Sequence, residues 1–309
     1  MKQKIKASHV TKLVLKRAAH PGHLWQAFQL QRNRKRNSRS LEDIQLKLYS
    51  EILPSDFLHF GYFESPSISP QDISINEMVA AQGRYADLLL AQVEDRQSPI
   101  LDIGCGMGGM CRLMLERKMH PVALSPDRLQ VNHIRQKYPQ VPVIHSKFEV
   151  VAANEYAGTF GTVITSESLQ YLKLDKSLPL LAQIVKPGGR WIACDFFFRE
   201  PTSEKTCHYW DDFVQQTSAA RWTITLEQDI TQNVLPTLRF VHLLAARFGI
   251  PLMRYAFLRF RRKQPGLHHI LENLLSGIEQ MAQTGIQQID PVAFESRHKY
   301  MLVVLERAN

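Results

Sequence analysis

The chain has 309 residues, 44% of them hydrophobic, which is enough to fill a substantial core. Its formal net charge of +9 is uneven, since no acid precedes Glu42 while Lys12, Lys16, Arg17, Arg32, Arg34, Lys35 and Arg36 all do. Four scattered cysteines without CxxC or Cys/His spacing argue against a disulfide framework and predict no metal, and no apolar run reaches the roughly 18 residues of a spanning helix.

Residues 1–45 read as a basic helical arm, with helical stretches around "VTKLVLKRAA" and "LWQAFQLQ", a break at Pro21-Gly22, and then polar "RNRKRNSRS". The opening residues lack the apolar core and small-residue cleavage site of a secretory signal, so a cytoplasmic location is expected. Residues 46–98 read as a helical cap. Within residues 41–63 a helix gives way to an aromatic turn ending in "LHFGYF". A helix follows over 74–94, with Ser74 as N-cap and Glu77 closing a capping box.

From residue 99 to 200, strands alternate with helices. Strands are predicted at 99–104, 120–125, 141–146, 160–166 and 189–198, and helices at 108–118, 126–138, briefly near 149–157, and at 174–185 before "KPGG". Runs too apolar to have a wet face, in strict alternation with helices, predict a parallel sheet covered on both sides, a doubly wound Rossmann-like α/β domain. Residues 201–309 add strands at 221–227 and 299–308 around a helical region from 232 to about 283, expected to form a lid. That region holds a second cationic cluster, "RYAFLRFRRK" (254–263), of the kind that attracts phosphates of a lipid surface, an anionic substrate or nucleic acid.

Ligands of an open α/β sheet bind at the carboxyl ends of its strands, and there the first strand runs into "ILDIGCGMGG". Gly104, Gly106 and Gly108 permit backbone conformations and approaches that a Cβ would obstruct. The spacing is not that of a dinucleotide fingerprint, and no phosphate-binding GxxxxGK[ST] is present. With Asp102 ahead of the glycines, the stretch resembles the first motif of class I S-adenosylmethionine-dependent methyltransferases. "FGTVITSESLQYL" and "LLAQIVKPGGRWIACDF" are similar to the fourth strand and to the helix, turn and fifth strand of that family. The resemblance implies S-adenosylmethionine as cofactor, held by Asp102, Gly104, Cys105, Gly106, Gly108, Ser125, Phe148 and Ser166. The chain departs from the family where an acid commonly ends the second strand, here Ala123, and where an Asp commonly follows the third, here Lys147.

Motifs of DNA-base methylation are absent: there is no NPPY, DPPY or Pro-Cys dipeptide. "SESLQYL", with Glu167, Ser168 and Tyr171, together with "LHFGYF" and "DITQNVLPTLRF", resembles the branch that includes tocopherol, sterol and geranyl-diphosphate C-methyltransferases. The resemblance implies a lipophilic, prenyl-type or terpenoid acceptor, and the apolar lid together with the basic arm suggests peripheral contact with an anionic membrane. Methylating an alkene leaves a cation that needs nearby negative charge or π faces and a base. Glu167 and Tyr171 are the catalytic candidates, and Tyr62, Phe63, Tyr209, Trp210 and His242 the acceptor-binding ones. Cyclopropane synthases share the branch, but their "EH" pair is Gln170-Tyr171 here. Two alternatives stand beside this reading: an O- or N-methyltransferase of a small natural product using a histidine base (His59, His208 or His242), and a module that binds cofactor or acceptor without methyl transfer.

Overall fold

The computed structural model describes residues 16, 19–37 and 55–307. The helical stretch expected around residues 10–19 and the helix start expected near 41 lie almost wholly outside them. The chain divides into two compact units, a sheet unit of residues 42–240 and 291–309 and a helical unit of residues 1–41 and 241–290.

The sheet unit is the expected α/β domain. Helix α2 (Ile75–Leu90) is N-capped by Ser74, whose Oγ accepts from the Glu77 amide at 3.1 Å. Strand β1 (Pro99–Ile103) follows, then α3 (Gly109–Glu116), β2 (His120–Ser125), α4 (Arg128–Lys137), β3 (Val143–His145) and β4 (Phe160–Ser166). The chain continues through α5 (Leu174–Ile184), β5 (Val185–Phe198), α6 (Trp210–Ala219), β6 (Trp222–Asp229), α7 (Thr231–Leu244), α10 (Pro291–Arg297) and β7 (His298–Arg307). Strand order is β3-β2-β1-β4-β5-β7-β6, parallel except that β7 runs antiparallel to both neighbours. The short helix expected near 149–157 is instead two single 3₁₀ turns, at Phe148–Val150 and Ala153–Tyr156.

Strand β7 shows why the sheet forms. Tyr300, Leu302 and Val304 belong to one apolar cluster and Met301, Val303 and Leu305 to the other, so successive side chains seal opposite faces. The stretch Lys186–Gly189, expected as a turn before the fifth strand, is part of β5. Pairing to β4 passes there from Phe160–Val185 to Thr162–Arg190, a bulge with Gly188 in the left-handed region.

In the helical unit, α1 (Pro21–Asn37) starts on the proline expected as a break, because a first-turn amide needs no intrahelical partner, and it continues through "RNRKRN". The region expected to be helical from 232 to 283 comprises α7, a π turn (Ala245–Gly249), α8 (Ile250–Lys263) and α9 (Pro265–Gln288).

Candidate active site

Two turns meet at the carboxyl end of the parallel strands. The first leaves β1. Gly104, Gly106 and Gly108 have φ of 76°, 53° and 88°, a region that residues with a Cβ rarely adopt. The Gly104 and Cys105 amides donate to the Leu124 carbonyl at 2.8 and 3.2 Å, tying the turn onto β2. A Cβ on Gly104 would lie 2.4 Å from Cβ of Ser168, and one on Gly109 would lie 2.5 Å from the Phe57 ring. At Gly106 the nearest atoms would be those of the Leu58 side chain, at 3.3 Å. Beneath the turn, Asp102 is 2% exposed, and burial pushes its carboxyl up to about 7 although the Cys111 thiol donates to Oδ2 at 3.5 Å.

The second turn leaves β4. Glu167 has φ +50°, left-handed without being glycine, and its amide donates to the Cys194 carbonyl at 2.9 Å. Its Oε1 accepts from the Phe60 amide and from the Tyr300 hydroxyl, both at 2.6 Å, and neither donor engages Oε2. Burial raises the carboxyl to about 7, against the lowering effect of those two donors. Tyr300 gives its only proton to Glu167. In its 3.0 Å contact with Tyr85, therefore, Tyr85 is the donor, and the Cys194 carbonyl at 3.2 Å competes for the same proton. Ser166 Oγ donates to the Tyr85 hydroxyl at 3.4 Å, and Ser168 Oγ donates to the Ile103 carbonyl, joining the two turns.

A strap of residues 56–63 lies against these turns and is held at nearly every residue. Asp56 accepts from Lys137, His133 and Tyr138. Gln82 Nε2 donates to the Phe57 and His59 carbonyls, and Glu167 holds Phe60. Thr237 Oγ1 accepts from the Gly61 amide at 3.0 Å, Ala81 from Tyr62 at 2.8 Å, and Asn233 and Phe63 exchange two hydrogen bonds at 2.9 Å. The "LHFGYF" and "DITQNVLPTLRF" stretches, 170 residues apart in the chain at Phe63 and Asn233, are thus one structural feature.

Within the strap His59 is half-buried, its ring 4.2 Å from that of Tyr85. Nδ1 lies 2.7 Å from the Phe60 carbonyl, which can only accept, so Nδ1 carries the proton and Nε2 is a bare acceptor. Among the described residues that buried Nε2 has no hydrogen-bond partner, and burial lowers the imidazole to about 4, so the ring is neutral. Phe60 stacks on Tyr300 at 5.8 Å and lies 6.3 Å from Phe294, which in turn meets Phe196 at 5.7 Å. Asp195, 1% exposed on β5, accepts from the Gln170 amide at 3.1 Å and is raised to about 8, first by burial and then by the charge of Glu167.

Residues 100–189 match the methyltransferase domain family. A 2-methyl-6-phytyl-1,4-hydroquinone methyltransferase from Synechocystis sp. is 25% identical over 180 residues, covering 54% of this chain and 53% of the relative. The chain spans about half the length of the curated relatives it matches. Among solved structures, one described as a sarcosine dimethylglycine methyltransferase from Galdieria sulphuraria has a TM-score of 0.60 at 12% identity, with 86% of this chain and 99% of that one covered. A geranyl diphosphate C-methyltransferase from Streptomyces coelicolor A3(2), solved with Mg2+, geranyl-S-thiolodiphosphate and S-adenosyl-L-homocysteine, has a TM-score of 0.58 at 15% identity, with 88% and 96% covered. At these identities the structures speak for the fold.

The residues singled out from sequence are distributed unevenly over this domain. Asp102, Gly104, Cys105, Gly106 and Gly108 lie at the end of β1 and in the turn after it, and Ser166 and Glu167 at the end of β4. Ser125 ends β2, but its Oγ already donates to Gln130 at 2.6 Å and accepts from the Asp127 amide at 3.0 Å, while Asp127 caps α4. Ala123 pairs with Asp102 across the strands and is fully buried. Several expected contacts are corrected by burial. Phe148 is closed in the apolar cluster that also holds Leu101 and Ile103, rather than lying open for a purine to stack on. Phe63 packs with Ile73, Met78 and Phe240, and Trp210 packs against Phe197 and Phe213, so both are core rather than acceptor walls. Tyr171 is 76% exposed, and the Tyr209 hydroxyl donates to Asp211 at 2.6 Å. Tyr62 is half-buried, with its carbonyl held by Arg84 at 3.1 Å. His242 belongs to the helical unit. Sequence reading missed Tyr85, Tyr300, Phe60, Phe196, Phe294 and Asp195. The available signals were the acid inside the apolar run "ACDFFF" for Asp195 and the aromatic "LHFGYF" stretch for Phe60.

Proposed function

We propose that this chain transfers a methyl group from S-adenosylmethionine to a carbon of a lipophilic small molecule, of prenyl or terpenoid type. The observation that carries the proposal is Glu167: a carboxyl raised to about 7, held at one oxygen by Phe60 and Tyr300, beside the glycine turn and among aromatic rings.

The turn fits the cofactor. Three left-handed glycines open the main chain, and at Gly106 the atoms nearest an added Cβ belong to the movable Leu58 side chain. The main chain of Gly104, Cys105 and Gly106 would hold the methionine part, and the end of β2 at Ser125 the ribose side. When bound, S-adenosylmethionine supplies an electrophilic methyl group.

The chain's own residues supply the rest. A carboxyl with its pKa near the working pH is well placed to take a proton from the carbon skeleton of the methylated acceptor, and its negative charge stabilises a neighbouring cation. Tyr300 and Phe60 fix the carboxyl through Oε1 and offer ring faces to the same charge. Phe196 and Phe294 extend that apolar wall, which favours a lipophilic acceptor and, with it, peripheral contact with the anionic membranes where such acceptors partition. The strap orients the wall through Gln82, Thr237 and Asn233.

Glu167→Gln is a clean test, because a glutamine oxygen still accepts from Phe60 and Tyr300 while losing the basicity. With prenyl quinols, prenyl diphosphates and terpenes as acceptors, methyl transfer to carbon should fall at least about 100-fold in kcat. Cofactor affinity measured by calorimetry should be unchanged. Full turnover in the variant would remove Glu167 from the chemistry and leave it a brace for the strap.

One observation favours a second reading, methylation at oxygen or nitrogen: the bare, buried Nε2 of His59 is an acceptor for an O–H or N–H. Under that reading His59→Gln abolishes turnover and Glu167→Gln leaves it intact.

A further inference from the structure

The helical unit carries a surface that the site chemistry does not use. Helices α8 and α9 pack on each other as a hairpin: Arg254 bridges to Glu279 at 2.6 Å, and the rings of Phe260 and His268 lie 6.1 Å apart. The face of α8 toward the partner is read from Met253, Phe257 and Phe260, all half-buried, and from buried Leu267 at the start of α9. Both helices carry a second apolar stripe at helical spacing that is not used for packing. On α8 it is Leu252, Tyr255 and Leu258, and on α9 it is Ile270, Leu274, Ile278 and Met281, all exposed. Among the described residues, a Cβ on Gly277 or Gly285, along the α9 stripe, would meet nothing within 4 Å. Exposed contiguous apolar surface of this kind marks an interaction site.

Charge decides which partner. Arg259, Arg261, Arg262 and Lys263 are exposed at the end of α8, where the chain turns into α9, and among the described residues none forms a salt bridge. A second copy of this positive surface offers these cations no negative charge, whereas an anionic surface does. Among the described residues no helix is long and apolar enough to cross a membrane. Apolar stripes, a tyrosine and a cationic turn are what an element lying in the interface of an anionic bilayer presents.

We propose that the α8–α9 hairpin docks on the surface of an anionic phospholipid bilayer, with Leu252, Leu258, Leu274 and Met281 inserted at the headgroup boundary and Arg259, Arg261, Arg262 and Lys263 against the phosphates. The docking surface rests on the methyl-transfer reading only for its purpose, access to a lipophilic acceptor, and its test needs no turnover.

The test is co-sedimentation of the full chain with vesicles of phosphatidylcholine alone and of phosphatidylcholine with phosphatidylglycerol in equal parts. Affinity for the mixed vesicles should be at least about 10-fold higher and should weaken with added salt. Leu258→Asp with Met281→Asp should cut binding to the mixed vesicles about 10-fold or more. Arg259→Glu with Arg262→Glu should cut binding to the mixed vesicles while sparing the weak binding to phosphatidylcholine. These positions are exposed, and an unchanged thermal transition verifies that the variants fold. Equal sedimentation with and without vesicles overturns the proposal. So does a wild-type dimer in ultracentrifugation that Leu274→Asp disperses while vesicle binding is unaffected, because the stripe would then belong to a second copy of the chain.

Discussion

The turns that leave β1 and β4 both enter the left-handed region, and they do so with opposite residues. After β1 the chain uses glycine at 104, 106 and 108, and after β4 it uses Glu167 at φ +50°. A left-handed residue with a Cβ costs about 1–2 kcal/mol relative to glycine. The β1 turn avoids that cost where side chains would obstruct it. The β4 turn accepts it at the one position where a carboxyl is hydrogen-bonded to Phe60 and Tyr300. Strain kept where glycine would be easier points to a side chain with a task.

The largest effect expected from breaking this contrast is at Gly104. Gly104→Ala adds the left-handed cost to a 2.4 Å collision with Ser168, whose hydroxyl already joins the two turns. Destabilisation of about 3 kcal/mol or more should appear in urea unfolding. A loss within about 1 kcal/mol would mean that the turns move independently. Gly106 and Gly158 sharpen the comparison because their φ values are nearly equal, 53° and 56°, while a Cβ at 158 meets nothing within 4 Å and one at 106 meets Leu58 first. Both alanine variants should cost about 1 kcal/mol of stability. Only Gly106→Ala should weaken S-adenosylmethionine binding, by about 10-fold or more in calorimetry, since one added methyl would stand between main chain and ligand. Equal affinities in the two variants would place the cofactor elsewhere.

The sheet was legible in the sequence because strand runs of a buried parallel sheet are apolar on both faces. The first turn was legible because glycine spacing is a backbone requirement written in a single residue type. The aromatic cluster around Glu167 was not. Tyr300 sits in β7 like any alternating strand residue and Tyr85 in the apolar stripe of α2. Only the fold brings their hydroxyls to 3.0 Å and places Glu167 beside them. Trp210 and Phe63 failed as wall candidates for the converse reason: a large aromatic near a motif has the same composition whether it faces a ligand or the core, and here packing around Phe213 and Met78 claimed them. The pairing of the strap with α7 was readable only as two separate stretches, because nothing local joins Gly61 to Thr237.

The smallest predicted effect concerns protons, and its sign separates a neutral site from an ionised one. Glu167, Asp102 and Asp195 are raised in the fold to about 7, 7 and 8 from ordinary values of 4.5, 3.8 and 3.8. Between those limits the folded chain holds protons that the unfolded chain has released. The stability they contribute is complete below the unfolded values and is lost as pH rises through the folded ones. His59 acts oppositely: lowered from 6.5 to about 4, it costs stability in acid and nothing once pH exceeds about 6.5. His208 and His298, also lowered by burial, share that direction. The window from about pH 6.5 to 8 therefore belongs to the carboxyls, each contributing at most about 1.4 kcal/mol per pH unit. The melting temperature should fall across that window. Glu167→Gln should flatten the slope by more than its own share, because Asp195 is raised partly by the charge of Glu167. A melting temperature that instead stays flat from pH 6.5 to 8 would mean that the carboxyls are already ionised in the folded chain, and Glu167 would then be too weak a base for the role proposed for it.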